Sequence, residues 1–374
     1  MCAAASEKRN YSMDYLRIIA CFMVICAHVT AAWKGGQYGT FEWMTAILYD
    51  CLSRSAIALF FMLSGAFYKK KTFMESAKKI LRFAVVFFAW SLFYTLADLY
   101  WKTGKCWGNL GEILYGMLNY KYHLWFLPSY ILVLSIAPII VRVMDSEESK
   151  DATKYILFFW IVLGVGIHTV RASMDGIEKY EQIHQFLGMI QQFTFLSDND
   201  IGFFVFGRYL FQRNVGKQTR IALYLTSIFS TIILFILTCI YSRRAGSLDD
   251  RWYSSQDILV LLQATGLFLF FKTRPSGNWK QKKNVCEIMR KTSFGVYLVH
   301  VFFLDLCYQS GFFHGNFIGR IAINPIIGVP ARVVFIYLFS FCSVFLYHMI
   351  PAIIRYSIST AKTIGSFLLG HDGK

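Results

Sequence analysis

Residues 14 to 33 read DYLRIIACFMVICAHVTAAW, an apolar run whose ionisable side chains are Asp14, Arg17 and His28. As a helix, that stretch rises about 30 Å, the thickness of the hydrocarbon core of a bilayer. It reads as a transmembrane helix, and the chain on its C-terminal side repeats the pattern. Further apolar runs follow at 46 to 68, 80 to 101, 123 to 143, 153 to 171, 194 to 212, 219 to 241, 253 to 272, 292 to 310 and 329 to 354. About ten spans are therefore expected, in an all-α polytopic transmembrane bundle. The run at 194 to 212 is the weakest, since it carries Asp198, Asn199 and Asp200.

Composition agrees with this reading. Over 374 residues, 56% are hydrophobic and 16% charged, against roughly a quarter charged in soluble domains. Disorder, collagen and a disulfide scaffold are excluded by plentiful aromatics and few Pro and Gly. The runs are continuous rather than alternating, which disfavours a transmembrane barrel. A formal charge of +16 would suggest nucleic-acid binding in a soluble protein. Here the basic residues collect between apolar runs, as in Lys69, Lys70, Lys71, Lys78, Lys79 and Arg82. That is the positive-inside pattern, and no nucleic-acid partner is expected.

With the N-terminus inside, the inner segments 1 to 13, 69 to 79, 144 to 152, 213 to 218, 273 to 291 and the C-tail hold more Lys and Arg than the outer ones at 34 to 45, 102 to 122, 172 to 193, 242 to 252 and 311 to 328. Both termini are thus expected in the cytoplasm. Lys8 and Arg9 ahead of an apolar run ending in Val29, Thr30 and Ala31 also resemble a signal peptide with its small-residue cleavage site. Asp14, Arg17 and His28 argue for a retained span, because a disposable apolar region has no use for them. Residues 1 to 374 are expected to form one membrane domain with short tails at 1 to 13 and 355 to 374. Nine scattered cysteines, with no C-x-x-C pair, read as small hydrophobes, and no metal site is expected.

Ionisable groups within the bilayer are costly, so each is a functional candidate. Arg17 and His28 are eleven residues apart, which places them on one helical face about 16 Å from each other. Asp14, one turn earlier, is placed to hold the Arg17 fork. Taken alone, Arg17 reads as a snorkelling interfacial anchor, whereas the cost of His28 in the bilayer favours a function over its alternative as a neutral packing histidine. In the second span, Asp50 precedes Arg54 by four residues, the order that favours an intrahelical salt bridge. Ser64 and Gly65 are small enough to admit another backbone closely. Lys79 and Arg82 share a face near a helix N-terminus, an arrangement that suits a phosphate-bearing donor as well as a topology signal. Trp125 fits an aromatic belt just after His123. Tyr297 and His300, one turn apart, make a polar pair for packing or for a site. Asp198, Asp200 and Asp257 lie towards the outer ends of their spans, where water is expected to solvate them.

At these residues the chain resembles the acyltransferase-3 family of bacterial integral-membrane acyltransferases. The matching pieces are Arg17 and His28, as the family's R-x10-H; Arg54 to Gly65, as R-x-x-x-x-x-F-F-x-L-S-G; Lys79 to Arg82, in the place of R-x-x-R; Trp125-Phe126-Leu127; and Gly295 to His300. Lys79 departs from the family's frequent Arg, keeping the charge but not the bidentate fork. The resemblance implies transfer of an acyl group, usually acetyl, from cytosolic acyl-CoA to a hydroxyl of a sugar, cell-surface polysaccharide or related acceptor at the bacterial cell membrane. Acetyl-CoA would be a co-substrate, with no bound cofactor. Arg17, Lys79 and Arg82 would bind the donor, while His28 would act as general base or accept the acyl group itself. Asp14, Arg54, Ser64, Trp125, Tyr297 and His300 would support them. The competing class is a transporter or flippase for a polysaccharide or lipid-linked sugar. Against it, the polar groups concentrate in the first three helices and near His300, without paired broken helices in two halves.

Overall fold

The computed structural model describes residues 10–105, 107–146, 150–193, 199–274, 283–312 and 324–369. The structure is 84% helical, with no strand among the described residues. Helix α1 (Tyr11–Val29) starts where the Asn10 side chain accepts the Met13 N–H at 3.3 Å. After a short turn of helix, α2 (Ala31–Lys34), come α3 (Phe41–Ser53) and α4 (Ala56–Ala66). The second apolar run is therefore a span of two pieces. At the break the Arg54 N–H bonds the Cys51 carbonyl three residues back, and α4 restarts with the Leu59 N–H on Ser55.

Helix α5 (Phe73–Thr103) opens with a capping box of Thr72 and Glu75 and closes on Gly104, whose φ of 72° is the left-handed conformation of a helix stop. The short α6 (Leu110–Leu118) leads to a 3₁₀ turn, Tyr122–Trp125, that feeds α7 (Phe126–Met144). Helices α8 (Lys150–Phe159) and α9 (Ile167–Met174) are joined through a π-helical stretch, Trp160–Gly166. There Trp160 lies against Gly202, where a Cβ would overlap its indole ring. The remainder is α10 (Glu181–Phe193), α11 (Asn199–Gln212), α12 (Lys217–Ala245), α13 (Ile258–Thr273), α14 (Lys283–Gln309) and α15 (Pro325–Leu369).

Among the described residues, seven helical stretches are long and apolar enough to cross a membrane. The other three expected spans coincide with α11 and α13, which are shorter, and with α14, whose apolar half carries His300 and Asp305. Helix α4 lies at the centre of the bundle, with Ala58, Leu59, Phe61 and Met62 fully buried. Helix α5, by contrast, exposes Leu81, Val85 and Phe88, as a lipid-facing helix does.

Helices α4 and α11 cross backbone to backbone. A Cβ on Gly65 would overlap the Phe204 carbonyl, and one on Gly207 would overlap the backbone of Met62. Arg208 secures the crossing by donating to the carbonyls of Gly65 at 3.3 Å and Tyr68 at 2.9 Å, while gripping Asp145 with a bidentate pair at 2.8 Å. Partial burial alone would raise the Asp145 pKa, yet the Arg208 hydrogen bonds and charge hold it below its usual value. Lys70 adds an ion pair to Asp145 at 3.6 Å, so the C-terminal end of α4 sits at a strongly basic end of the bundle.

The expectation for the acids near span ends needs correction. Asp200 and Asp257 are buried, not solvated. Asp257 caps α13 by accepting the Leu259 N–H at 2.8 Å, and Asp200 accepts the Ser129 hydroxyl. A helix cap and a cross-helix hydroxyl replace water as their partners. Asp198 lies outside the described residues.

Candidate active site

Because α1 runs unbroken from Tyr11 to Val29, it sets Arg17 and His28 on one rod, eleven residues or about 16 Å apart. Each looks into a different cavity. Arg17 lines one of about 270 Å³, together with Ser64 of α4, Tyr130 of α7, and Arg290, Ser293 and Tyr297 of α14. Asp14 stands 3.6 Å from Arg17 and 3.6 Å from Arg290. One carboxylate thus braces two guanidinium groups, a trio whose formal charge is positive. Lys79 donates to the Tyr130 hydroxyl at 3.2 Å and lies within 5.4 to 5.9 Å of the rings of Tyr68, Phe83 and Tyr130. That aromatic cage holds its ammonium against the cavity wall. Arg82 is exposed on α5 and lines neither cavity.

His28 lines the second cavity, of about 410 Å³, with Arg54, Trp125, Tyr253, Ser255 and Gln256. Arg54 keeps the expected pairing with Asp50, which is fully buried and also holds Lys34 at 2.9 Å. Two cations share one carboxylate, so this cavity too carries net positive charge. The Arg54 guanidinium lies 3.9 Å over the Tyr253 ring, which fixes it at the cavity edge. Arg54 therefore has both the structural partner read from sequence and a place beside His28.

Behind His28 stand two further histidines. The His28 and His300 rings are 5.4 Å apart, and those of His300 and His123 are 5.3 Å apart. His300 has no exposed surface, and its Nδ1 lies 2.7 Å from the Tyr297 carbonyl. A carbonyl only accepts, so Nδ1 carries the proton and the buried Nε2 keeps its lone pair. The Tyr297 hydroxyl donates to the His123 carbonyl, while the Tyr94 hydroxyl donates to the Leu298 carbonyl at 2.8 Å. Tyr297 and His300 are thus linked through backbone rather than side chain to side chain. Both ring nitrogens of His123 are buried without a hydrogen bond of ordinary geometry.

The structure sets Arg17, Ser64 and Tyr297 on the wall of the first cavity, with Asp14 against Arg17 and Lys79 against Tyr130 behind it, and His28, Arg54 and Trp125 around the second, with His300 next to His28. Arg82 stands apart. Sequence reading missed three residues. His123 was visible two positions before Trp125 but lay at the edge of its expected span, where an ionisable group costs little. Arg290 was one residue of a basic tract. Tyr253 carried no signal, because its role arises only when the segment before α13 folds over Arg54.

A family model described as an acyltransferase domain, acyltransferase-3, matches residues 10–349, nearly the whole chain. No curated protein and no solved structure gives a match. The matched span takes in both cavities and all three histidines. With its long apolar helices and this match, the chain belongs to the acyltransferase-3 family and is a multi-pass membrane acyltransferase.

Proposed function

We propose that the protein is an O-acyltransferase of the bacterial cell membrane that moves an acetyl group from cytosolic acetyl-CoA to a hydroxyl of a carbohydrate or other cell-envelope acceptor. The observation that carries this is the division of labour along α1, with Arg17 in one cavity and His28 in the other. The Arg17 cavity is lined by Ser64 in the last turn of α4, next to the basic tract Lys69, Lys70 and Lys71 that the positive-inside rule assigns to the cytoplasm. Arg17, Arg290 and Lys79 form a phosphate-binding group there, and Arg82 attracts the donor from outside the cavity. The pantetheine arm follows α1 inward and carries the thioester towards His28.

The second cavity suits a sugar. Trp125 offers an exposed aromatic face for a pyranose ring, and Ser255 and Gln256 offer hydrogen bonds to its hydroxyls. Neutral His28 takes the proton of the acceptor hydroxyl as its oxygen bonds to the thioester carbonyl carbon. Arg54 lies where its charge favours the resulting oxyanion. Collapse of the tetrahedral intermediate then breaks the carbon–sulfur bond, and the departing CoA thiolate recovers the proton from His28.

Purified protein incubated with acetyl-CoA labelled in the acetyl group tests this directly. Transfer of label to an added polysaccharide or glycoside, with release of free CoA, is expected. Uptake of an unmodified glycoside into vesicles, with no CoA released, would instead favour a transporter.

A further inference from the structure

The two cavities have one lining residue in common, Ile57. It sits in the first turn of α4, just past the break at Arg54 and Ser55. A single stripe of this helix runs through both spaces. Ile57 lines both, and Phe60 and Ser64 line the Arg17 cavity, while Arg54, at the break before the helix, lines the His28 cavity. Spacings of three and four residues put Ile57, Phe60 and Ser64 on one face in that order. Ile57 is also the partly exposed member of a stretch whose neighbours Ala56, Ala58 and Leu59 are buried, so its side chain packs against the core on one side and borders open space on the other.

We propose that Ile57 is the partition between the donor and acceptor cavities and selects the acyl group by cross-section. The inference rests on the reading that acyl-CoA enters at Arg17 and reacts at His28. On that reading the acyl end leads the pantetheine arm and must pass Ile57 to reach the histidine. A linear acetyl group is no wider than the arm that follows it. An acyl group branched next to the carbonyl is wider, and it meets a β-branched side chain that has little rotamer freedom with which to yield. The Ile57 position therefore discriminates by shape at the carbonyl end of the donor, separately from the charged groups that hold its phosphates.

The test uses the full-length protein in detergent, with acetyl-CoA and isobutyryl-CoA as donors and CoA binding measured alongside. The wild-type protein should transfer acetyl in strong preference to isobutyryl. Ile57→Ala should raise the isobutyryl-to-acetyl ratio by about tenfold or more, the scale on which a single methylene is discriminated in an apolar pocket. Ile57→Trp should bind CoA as the wild type does and fail to transfer acetyl. An unchanged ratio in Ile57→Ala overturns the proposal, whether or not Ile57→Trp folds. Absence of transfer from either donor in the wild-type protein would instead count against the acyltransfer reading itself, so the two failures are distinguishable.

Discussion

The chemistry proposed at His28 depends on what stands behind it. His300 is fully buried, 5.4 Å from His28 by ring centroids, with its proton committed to the Tyr297 carbonyl. Its ring stands beside that of His28, and we propose that it is a positioning residue. His300→Gln should therefore lower turnover by about a hundredfold, the cost of about 1 Å of misplacement, while acetyl-CoA affinity stays the same. The check is donor affinity by calorimetry beside initial rates, and a loss of affinity equal to the loss of rate would refute it. At this scale the sequence was informative where an ionisable group lay deep in an apolar run, as at Arg17, His28 and Arg54, because burial there is costly and demands a reason. Arg290 and Tyr253 take their roles from packing between segments far apart in the chain, which local sequence does not encode.

The break between α3 and α4 is the element on which the second cavity depends. The Asp50–Arg54 pair was legible from its four-residue spacing. Lys34 was not, since it reaches Asp50 from the far side of a turn, and the break itself carries neither Pro nor Gly to announce it. The three-member network makes the single variants unequal. Asp50→Ala strands two partly buried cations, whereas Arg54→Ala leaves the buried Asp50 paired with Lys34. Breaking a buried pair costs about 3 to 5 kcal/mol. Asp50→Ala is expected to lose most of the folded protein, Arg54→Ala less, and the double variant to recover part of the loss. Fluorescence-detected size exclusion would measure this, and equal yields for the two single variants would show that Lys34 does not share the charge. The expected span at 80 to 101 ends close to the Thr103 end of α5, but the helix starts well before it, at Phe73, on a Thr72 cap that run length does not reveal. At α13 the difference is again at the start, where Asp257 caps the helix and begins it at Ile258, inside the expected span.

Across the whole molecule, helical class and membrane residence were read from composition and run length alone, while the layout of cavities required the packing of α1, α4, α7 and α14. We propose that the basic end of the bundle faces the cytoplasm, so cysteines introduced at the exposed Lys69 and Ser247 in a cysteine-free background should differ. In intact cells only Ser247→Cys should react with an impermeant thiol reagent, and reaction at Lys69→Cys alone would invert the assignment. The same polarity separates donor capture from chemistry along α1. The most direct test of that separation is acetyl-CoA affinity and single-turnover acetyl transfer, measured together on folded Arg17→Ala and His28→Ala proteins. Arg17→Ala should weaken donor binding by about 1.5 to 3 kcal/mol, the worth of a hydrogen bond to a charged group. His28→Ala should bind acetyl-CoA as the wild type does and transfer its acetyl group about a hundredfold to ten-thousandfold more slowly. Wild-type transfer rates in a folded His28→Ala protein would contradict the account.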